Sequence, residues 1–154
     1  MNQSFAALLL AARRERQLVI ATALTDGAPS GQARQARLAQ QQGAGAAELR
    51  ADLLADPAQV CAALTAVRAA SSLPLLLTYR STTEGGKGAG HGQGYEDYLA
   101  SLLQLRPAVA AVDIEMACPA SKALVAEAKA GGYDVVGSCH DFTATPSAAQ
   151  IAEK

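Results

Sequence analysis

A chain of 154 residues, half of them hydrophobic, 4% aromatic and none Trp, is long enough for one domain that removes roughly two thirds of its unfolded surface from water. Thirteen basic against fourteen acidic side chains leave a formal charge of −1, which supplies no footprint for phosphate backbones and argues against a nucleic-acid partner. Three widely spaced cysteines, Cys61, Cys118 and Cys139, with no CxxC, suit reduced thiols in a cytoplasmic protein better than a disulfide framework.

The apolar run from Phe5 to Ala12 has no basic residue before it and is followed by Arg13, Arg14 and Arg16, the reverse of a secretory signal, and it is too short to cross a bilayer. It predicts an amphipathic helix in a segment 1–16 that packs on the body or on a partner, ahead of one domain over 17–154. A strand is predicted over 17–24, then a helix near 30–42 that stops at Gly43. A second strand over 46–53 precedes Asp56-Pro57, an N-cap followed by proline at the first helical position, which opens a helix to about Ala70.

The third strand, 74–79, runs into Arg80 and a glycine-rich stretch from Glu84 to Gly94 that predicts a flexible loop and a candidate lid. Apolar residues at helical spacing follow over 95–105, with a strand at 108–116, a helix at 119–130 and a strand at 133–139. Ser147 begins a last helix. Strands alternating with helices in this manner predict an α/β chain with a parallel sheet of about five βα units. Five units fill part of a (β/α)₈ barrel, which needs at least about 200 residues, whereas a doubly wound five-stranded sheet fits the length as it stands.

Because successive strand residues point to opposite faces, Ala46, Glu48, Arg50 and Asp52 share one face while Ala47, Leu49, Ala51 and Leu53 share the other. The fourth strand divides likewise, Asp113 and Glu115 against Val112, Ile114 and Met116, and the fifth places Ser138 and His140 opposite Gly137 and Cys139. In a barrel the apolar face lies under the helices and the polar face looks inward, where catalytic groups gather at the carboxyl ends of strands. The competing reading is structural: salt bridges of Glu48 or Asp52 with Arg50 or Arg80 closing one end of the sheet, which leaves His140 unexplained.

Two arginines, several carboxylates and a histidine suit a small hydroxylated organic acid. Arginine grips a carboxylate with two parallel bonds, acidic groups accept from hydroxyls, and imidazole moves protons near neutral pH. No metal is expected, since the arginines repel a cation and no HxxxH spacing occurs. Cys139 and His140 point apart as strand neighbours, which argues against a nucleophilic dyad. Gly85-Gly86-Lys87-Gly88 lacks the first spaced glycine and the Ser/Thr of a phosphate loop, and His91, in the glycine-rich stretch, is expected to face solvent.

Four stretches in register carry a resemblance over about residues 17–154: Glu48-Leu49-Arg50-Ala51-Asp52, Leu77 to Gly86 with Arg80-Ser81-Thr82-Thr83-Glu84 at its centre, Val112-Asp113-Ile114-Glu115, and Cys139-His140-Asp141-Phe142 followed by Thr145-Pro146-Ser147. The chain resembles type I 3-dehydroquinate dehydratase, the shikimate-pathway enzyme. The resemblance implies a (β/α)₈ TIM barrel that removes water from 3-dehydroquinate through a Schiff base between a lysine and the substrate ketone, with no cofactor. It implies that His140 is the general base and acid, that Glu84 assists it, and that Glu48, Arg50 and Arg80 bind substrate.

Two departures stand out. Leu49 replaces a tryptophan often found between the family's glutamate and arginine. The Schiff-base lysine of the family lies on strand six, whereas Lys154 falls in the helix before it and Lys87, Lys122 and Lys129 lie in loop or helix stretches. The expectation is therefore a partial barrel, inactive alone, whose two open strand edges favour a homo-oligomer. The alternatives are a non-catalytic homologue that binds a shikimate-like acid or a partner chain, and a second polypeptide that supplies the remaining strands.

Overall fold

The computed structural model describes residues 4–105 and 108–152. Lys154, set aside above as no equivalent of the family lysine, lies outside them, as do residues 1–3 of the predicted N-terminal segment. The elements run α1 (Phe5–Glu15), β1 (Ala21–Leu24), α2 (Pro29–Gln41), β2 (Ala46–Arg50), α3 (Pro57–Ala70), β3 (Leu75–Thr78), α4 (Gln93–Gln104), β4 (Ala111–Glu115), α5 (Ser121–Ala130), β5 (Asp134–Ser138) and α6 (Ala148–Ala152). Single 3₁₀ turns at Ala51–Leu53 and Thr82–Glu84 follow β2 and β3.

All neighbouring strands pair in parallel, in the order β1-β2-β3-β4-β5. That order decides between the two architectures the sequence left open. A doubly wound sheet reverses its strand order at a switch point and takes helices on both faces; here each strand lies beside its predecessor, as in a barrel. Helices α2 to α5 cover one face. Alternate strand residues Leu49, Leu75, Leu77 and Ile114 join Val60 and Val67 of α3, Leu99 of α4 and Leu124 of α5 in one buried cluster.

The opposite, inner face is apolar only at the amino ends of its strands. There Ala46, Ala110 and Ala111 close around Phe5 of α1, with Leu76 and Val136 beside them. Asp134, at the start of β5, ties the helix in place by accepting from Ser4 Oγ at 2.7 Å and from the Ala6 N–H at 2.8 Å. The first helix thus packs on the body, across the end of the sheet remote from the polar residues.

Local signals hold where their chemistry is local. The Asp56 side chain accepts from the Gln59 N–H at 2.8 Å and Pro57 sits in the first turn of α3. Strand ends differ more. β2 stops at Arg50 rather than Leu53, and the 3₁₀ turn that follows takes Asp52 off the strand. The predicted lid is also a built part of the fold: Ser81 and Gly88 bridge, the Gly86 N–H donates to Ser81 O at 2.7 Å, and Gly88 N–H to Arg80 O at 2.9 Å. Glycine is required at this turn, because a Cβ on Gly86 would fall 2.1 Å from the Arg80 carbonyl oxygen.

Among the described residues no helix is long and apolar enough to cross a membrane.

Candidate active site

The carboxyl ends of β2 to β5 bring the polar residues of the inner face together around Arg80, which is 8% exposed. Its Nη2 lies 3.0 Å from Asp113 Oδ1, and its Nη1 lies 3.0 Å from Glu115 Oε1, 2.8 Å from Ser138 Oγ and 3.5 Å from Glu84 Oε2. One guanidinium therefore faces three buried carboxylates. Parity explains the convergence, since Asp113 and Glu115 alternate on β4 and Ser138 stands beside Glu115 in the ladder.

Glu115 and Asp113 share that guanidinium but differ in their other partners. Burial works to raise the Glu115 carboxyl, yet donation from the Ser81 hydroxyl at 2.6 Å and the Ser81 N–H at 2.9 Å, with His91 and Arg80, holds it below its ordinary value. At Asp113 the balance reverses, and burial pushes its carboxyl up despite Arg80 and Ser138.

Glu84 reaches the site from the 3₁₀ turn after β3, a turn capped by Ser81. Its Oε2 accepts from the backbone N–H of His140 at 2.9 Å and lies 2.8 Å from the His140 Nδ1. Against a carboxylate Nδ1 carries the hydrogen, which leaves Nε2 of a neutral ring as a base. His140 is 41% exposed in its side chain and borders an open cavity of about 340 Å³ with Glu84, His91 and Phe142.

Arg50 stands apart from this cluster. Its Nε and Nη2 both bond Asp52, each at 2.8 Å, in a bidentate pair. Asp52 in turn accepts from the N–H groups of Arg80 at 3.3 Å and Lys87 at 3.1 Å, so it links the β2 turn to the loop after β3. Glu48 lies on the same face of β2, opposite Leu76 in the register, and is half-buried. The sequence paired Glu48 or Asp52 with either arginine; of these, the Arg50–Asp52 pair forms, while Arg80 bonds the β4 carboxylates and Glu84.

Two residues gain a place that the sequence did not give them. His91, expected in solvent, is 13% exposed in its side chain, and its Nε2 lies 2.5 Å from Glu115 Oε2. Its N–H donates to Thr83 Oγ1 at 3.0 Å and its ring meets the Tyr95 ring edge-on. Flanking glycines signalled mobility, but burial here comes from tertiary packing. Ser81 bridges Glu115 and Glu84, and its only sequence signal is its place directly after Arg80.

The Asp52 bonds imply an acid response. Burial favours its neutral form, but the Arg50 bonds and the two N–H donors outweigh it and hold the carboxyl below 3.8. A carboxyl lowered by folding contributes stability above the unfolded value of about 3.9 and loses it as pH falls through the folded value. Urea midpoints should therefore fall below about pH 4, and Asp52→Asn should flatten that fall. An unchanged acid slope in the variant would remove Asp52 from the account.

A family model described as type I 3-dehydroquinase matches residues 20–154. The 3-dehydroquinate dehydratase of Methanosarcina barkeri is 37% identical over 115 residues, 72% of this chain and 48% of that protein. The protein of the same name from Methanoregula boonei is 38% identical over 128 residues, 82% of this chain and 54% of that protein. Among solved structures, 3-dehydroquinate dehydratase from Enterococcus faecalis superposes with a TM-score of 0.77 at 28% identity, covering 88% of this chain and 58% of that one. The chain spans about half the length of the curated relatives it matches. The sheet is accordingly a partial (β/α)₈ barrel, and the chain belongs to the type I 3-dehydroquinase family.

Proposed function

We propose that this chain carries the substrate-holding and proton-transfer half of a 3-dehydroquinate dehydratase site, and that residues 1–154 alone do not complete the reaction. The observation that carries the reading is the Glu84–His140 pair beside Arg80, at one mouth of the curved sheet. His140, with Nδ1 fixed on Glu84, takes the proton next to the substrate carbonyl and returns one to the departing hydroxide. Glu48, Arg50 and Arg80 hold the acid and its hydroxyls: Arg50, with a partly exposed guanidinium, grips the carboxylate, and Arg80 keeps the carboxylates of β4 in place.

The reaction also needs an amine to turn the ketone into an iminium. Lys87, Lys122 and Lys129 are exposed, the latter two on α5, so the amine belongs to another segment or another polypeptide. No cofactor is required by this chemistry. Residues 17–154 form the barrel part in this reading, residues 1–16 a helical segment beneath it, and three cysteines outside any disulfide suit the cytoplasm.

Isothermal calorimetry with 3-dehydroquinate tests the holding role. Arg50→Ala should weaken binding about tenfold or more, as loss of a charge-assisted pair does; equal affinity in wild type and variant would refute it. A non-catalytic binder of the same acid would give the same calorimetry, and separates from the enzyme half only in the turnover experiment described in the Discussion.

Among the described residues β1 and β5 each have an unpaired edge in this sheet. Leu18, Ile20 and Phe142 are 95%, 64% and 77% exposed, a combination that favours association. Sedimentation at micromolar concentration should show a homo-oligomer or larger assemblies, and a stable monomer would count against it.

A further inference from the structure

We infer that Glu84, His91 and Glu115 form a binding site for a divalent cation of the zinc class. One ligand atom from each lies within 4.8 Å of the other two. His91 Nε2 stands 2.5 Å from Glu115 Oε2 and 4.0 Å from Glu84 Oε1. A zinc ion held at about 2.0–2.2 Å from imidazole and carboxylate donors keeps tetrahedral neighbours about 3.4 Å apart. Occupancy then asks the His91–Glu115 hydrogen bond to open by about 1 Å and Glu84 to close by about half of that, within the reach of side-chain rotation.

A second observation points to a missing ligand. Glu84 is 3% exposed, and while its Oε2 serves His140 and Arg80, its Oε1 has no hydrogen-bond partner among the described residues. A buried carboxylate oxygen left without a donor carries its full desolvation cost. That oxygen is the one that faces His91.

Electrostatics favour a cation despite the nearby arginine. Glu84, Asp113 and Glu115 are three buried carboxylates against one guanidinium. Arg80 engages Glu115 through Oε1 and Glu84 through Oε2, the oxygens turned away from His91, and so leaves the other oxygen of each for the ion. Imidazole with carboxylates selects zinc-like ions over magnesium or calcium, which prefer oxygen alone. The supporting bonds are in place: Ser81 donates to Glu115 through its N–H and hydroxyl, Thr83 anchors the His91 backbone by accepting from its main-chain N–H, and both Glu84 and His91 border the cavity, which leaves a fourth position for water.

Bound there, the ion would set positive charge beside His140 and disfavour its taking a proton. That consequence rests on the dehydratase reading; the binding does not, and the experiment reads binding alone. The metal-free 154-residue chain is titrated with Zn²⁺ by calorimetry and with Co²⁺ by visible spectroscopy. The expected result is one equivalent bound, with a cobalt spectrum lacking thiolate-to-metal charge transfer, unchanged by Cys139→Ser or Cys61→Ser. His91→Ala, and independently His91→Gln and Glu115→Gln, should weaken it about tenfold or more, in proteins whose circular dichroism matches the parent. Absence of binding, binding that survives the His91 variants, or a thiolate band would each overturn the proposal.

Discussion

Replacing Arg80 with alanine should cost about 3–5 kcal/mol of folding stability, the loss expected when one partner of a buried ion network is removed. The size follows from what the guanidinium faces. Asp113, Glu115 and Glu84 are all nearly inaccessible, and Arg80 bonds or pairs with each of them while also receiving support from Ser138. Without it, three carboxylates must ionise in a space with no other permanent cation within the contacts described, or take up protons.

Asp113, which burial already pushes upward, is the first candidate to do so. The deficit should therefore shrink in acid, where protonation removes the uncompensated charge. Arg80→Lys should recover part of the loss at most, because an ammonium cannot reach all of these acceptors from one planar fork. Arg50→Ala offers the contrast. That side chain is 21% exposed, and its partner Asp52 keeps two N–H donors, so a loss of about 1–2 kcal/mol is expected. Urea denaturation near neutral pH measures both; an Arg80→Ala loss below about 1 kcal/mol, typical of a surface pair, would show that the network is not what holds this end of the sheet.

The sequence was most legible where structure depends on alternation. Glu48 and Arg50 on β2, Asp113 and Glu115 on β4, and Ser138 and His140 at β5 are all assigned to one face by parity alone, and the apolar partners Leu49 and Ile114 lie under the helices. Parity works because a strand has one period and no local alternative. It failed at Asp52, where the chain leaves the strand for a 3₁₀ turn, and the residue reaches Arg50 by that turn rather than by sharing its face.

The choice between a barrel order and a doubly wound one was not legible, since both share the same βα alternation and differ in which strands become neighbours. His91 was misread for a related reason. Gly90 and Gly92 describe its backbone freedom, whereas its burial depends on Glu115 and Tyr95, which lie on a strand and a helix later in the chain. Glycine content speaks for local conformational entropy and says nothing about what the rest of the fold places over a loop.

The second large effect concerns turnover. A positioned general base supplies about 10²- to 10⁴-fold over the uncatalysed reaction, whereas enzymes reach about 10⁶-fold and beyond. In the proposed reading the Glu84–His140 pair provides the former. Covalent activation of the ketone, which divides the difficult step into easier ones, requires a lysine amine aimed into the site. Lys122 and Lys129 sit exposed on α5, and Lys87 lies in the loop with its side chain exposed and its N–H on Asp52. The chain of 154 residues should therefore fall short of an ordinary enzymatic rate by at least about 100-fold. In the proposed reading, three further βα units beyond the five described, on the same or a second polypeptide, should restore it.

The most direct test incubates the 154-residue chain with 3-dehydroquinate, follows dehydration, and then adds borohydride and weighs the protein. The expected result is an unmodified mass and a rate no more than about 10⁴ times the uncatalysed one, lowered further by His140→Ala. A reduced adduct on any lysine of this chain, or turnover at an enzymatic rate, would contradict it.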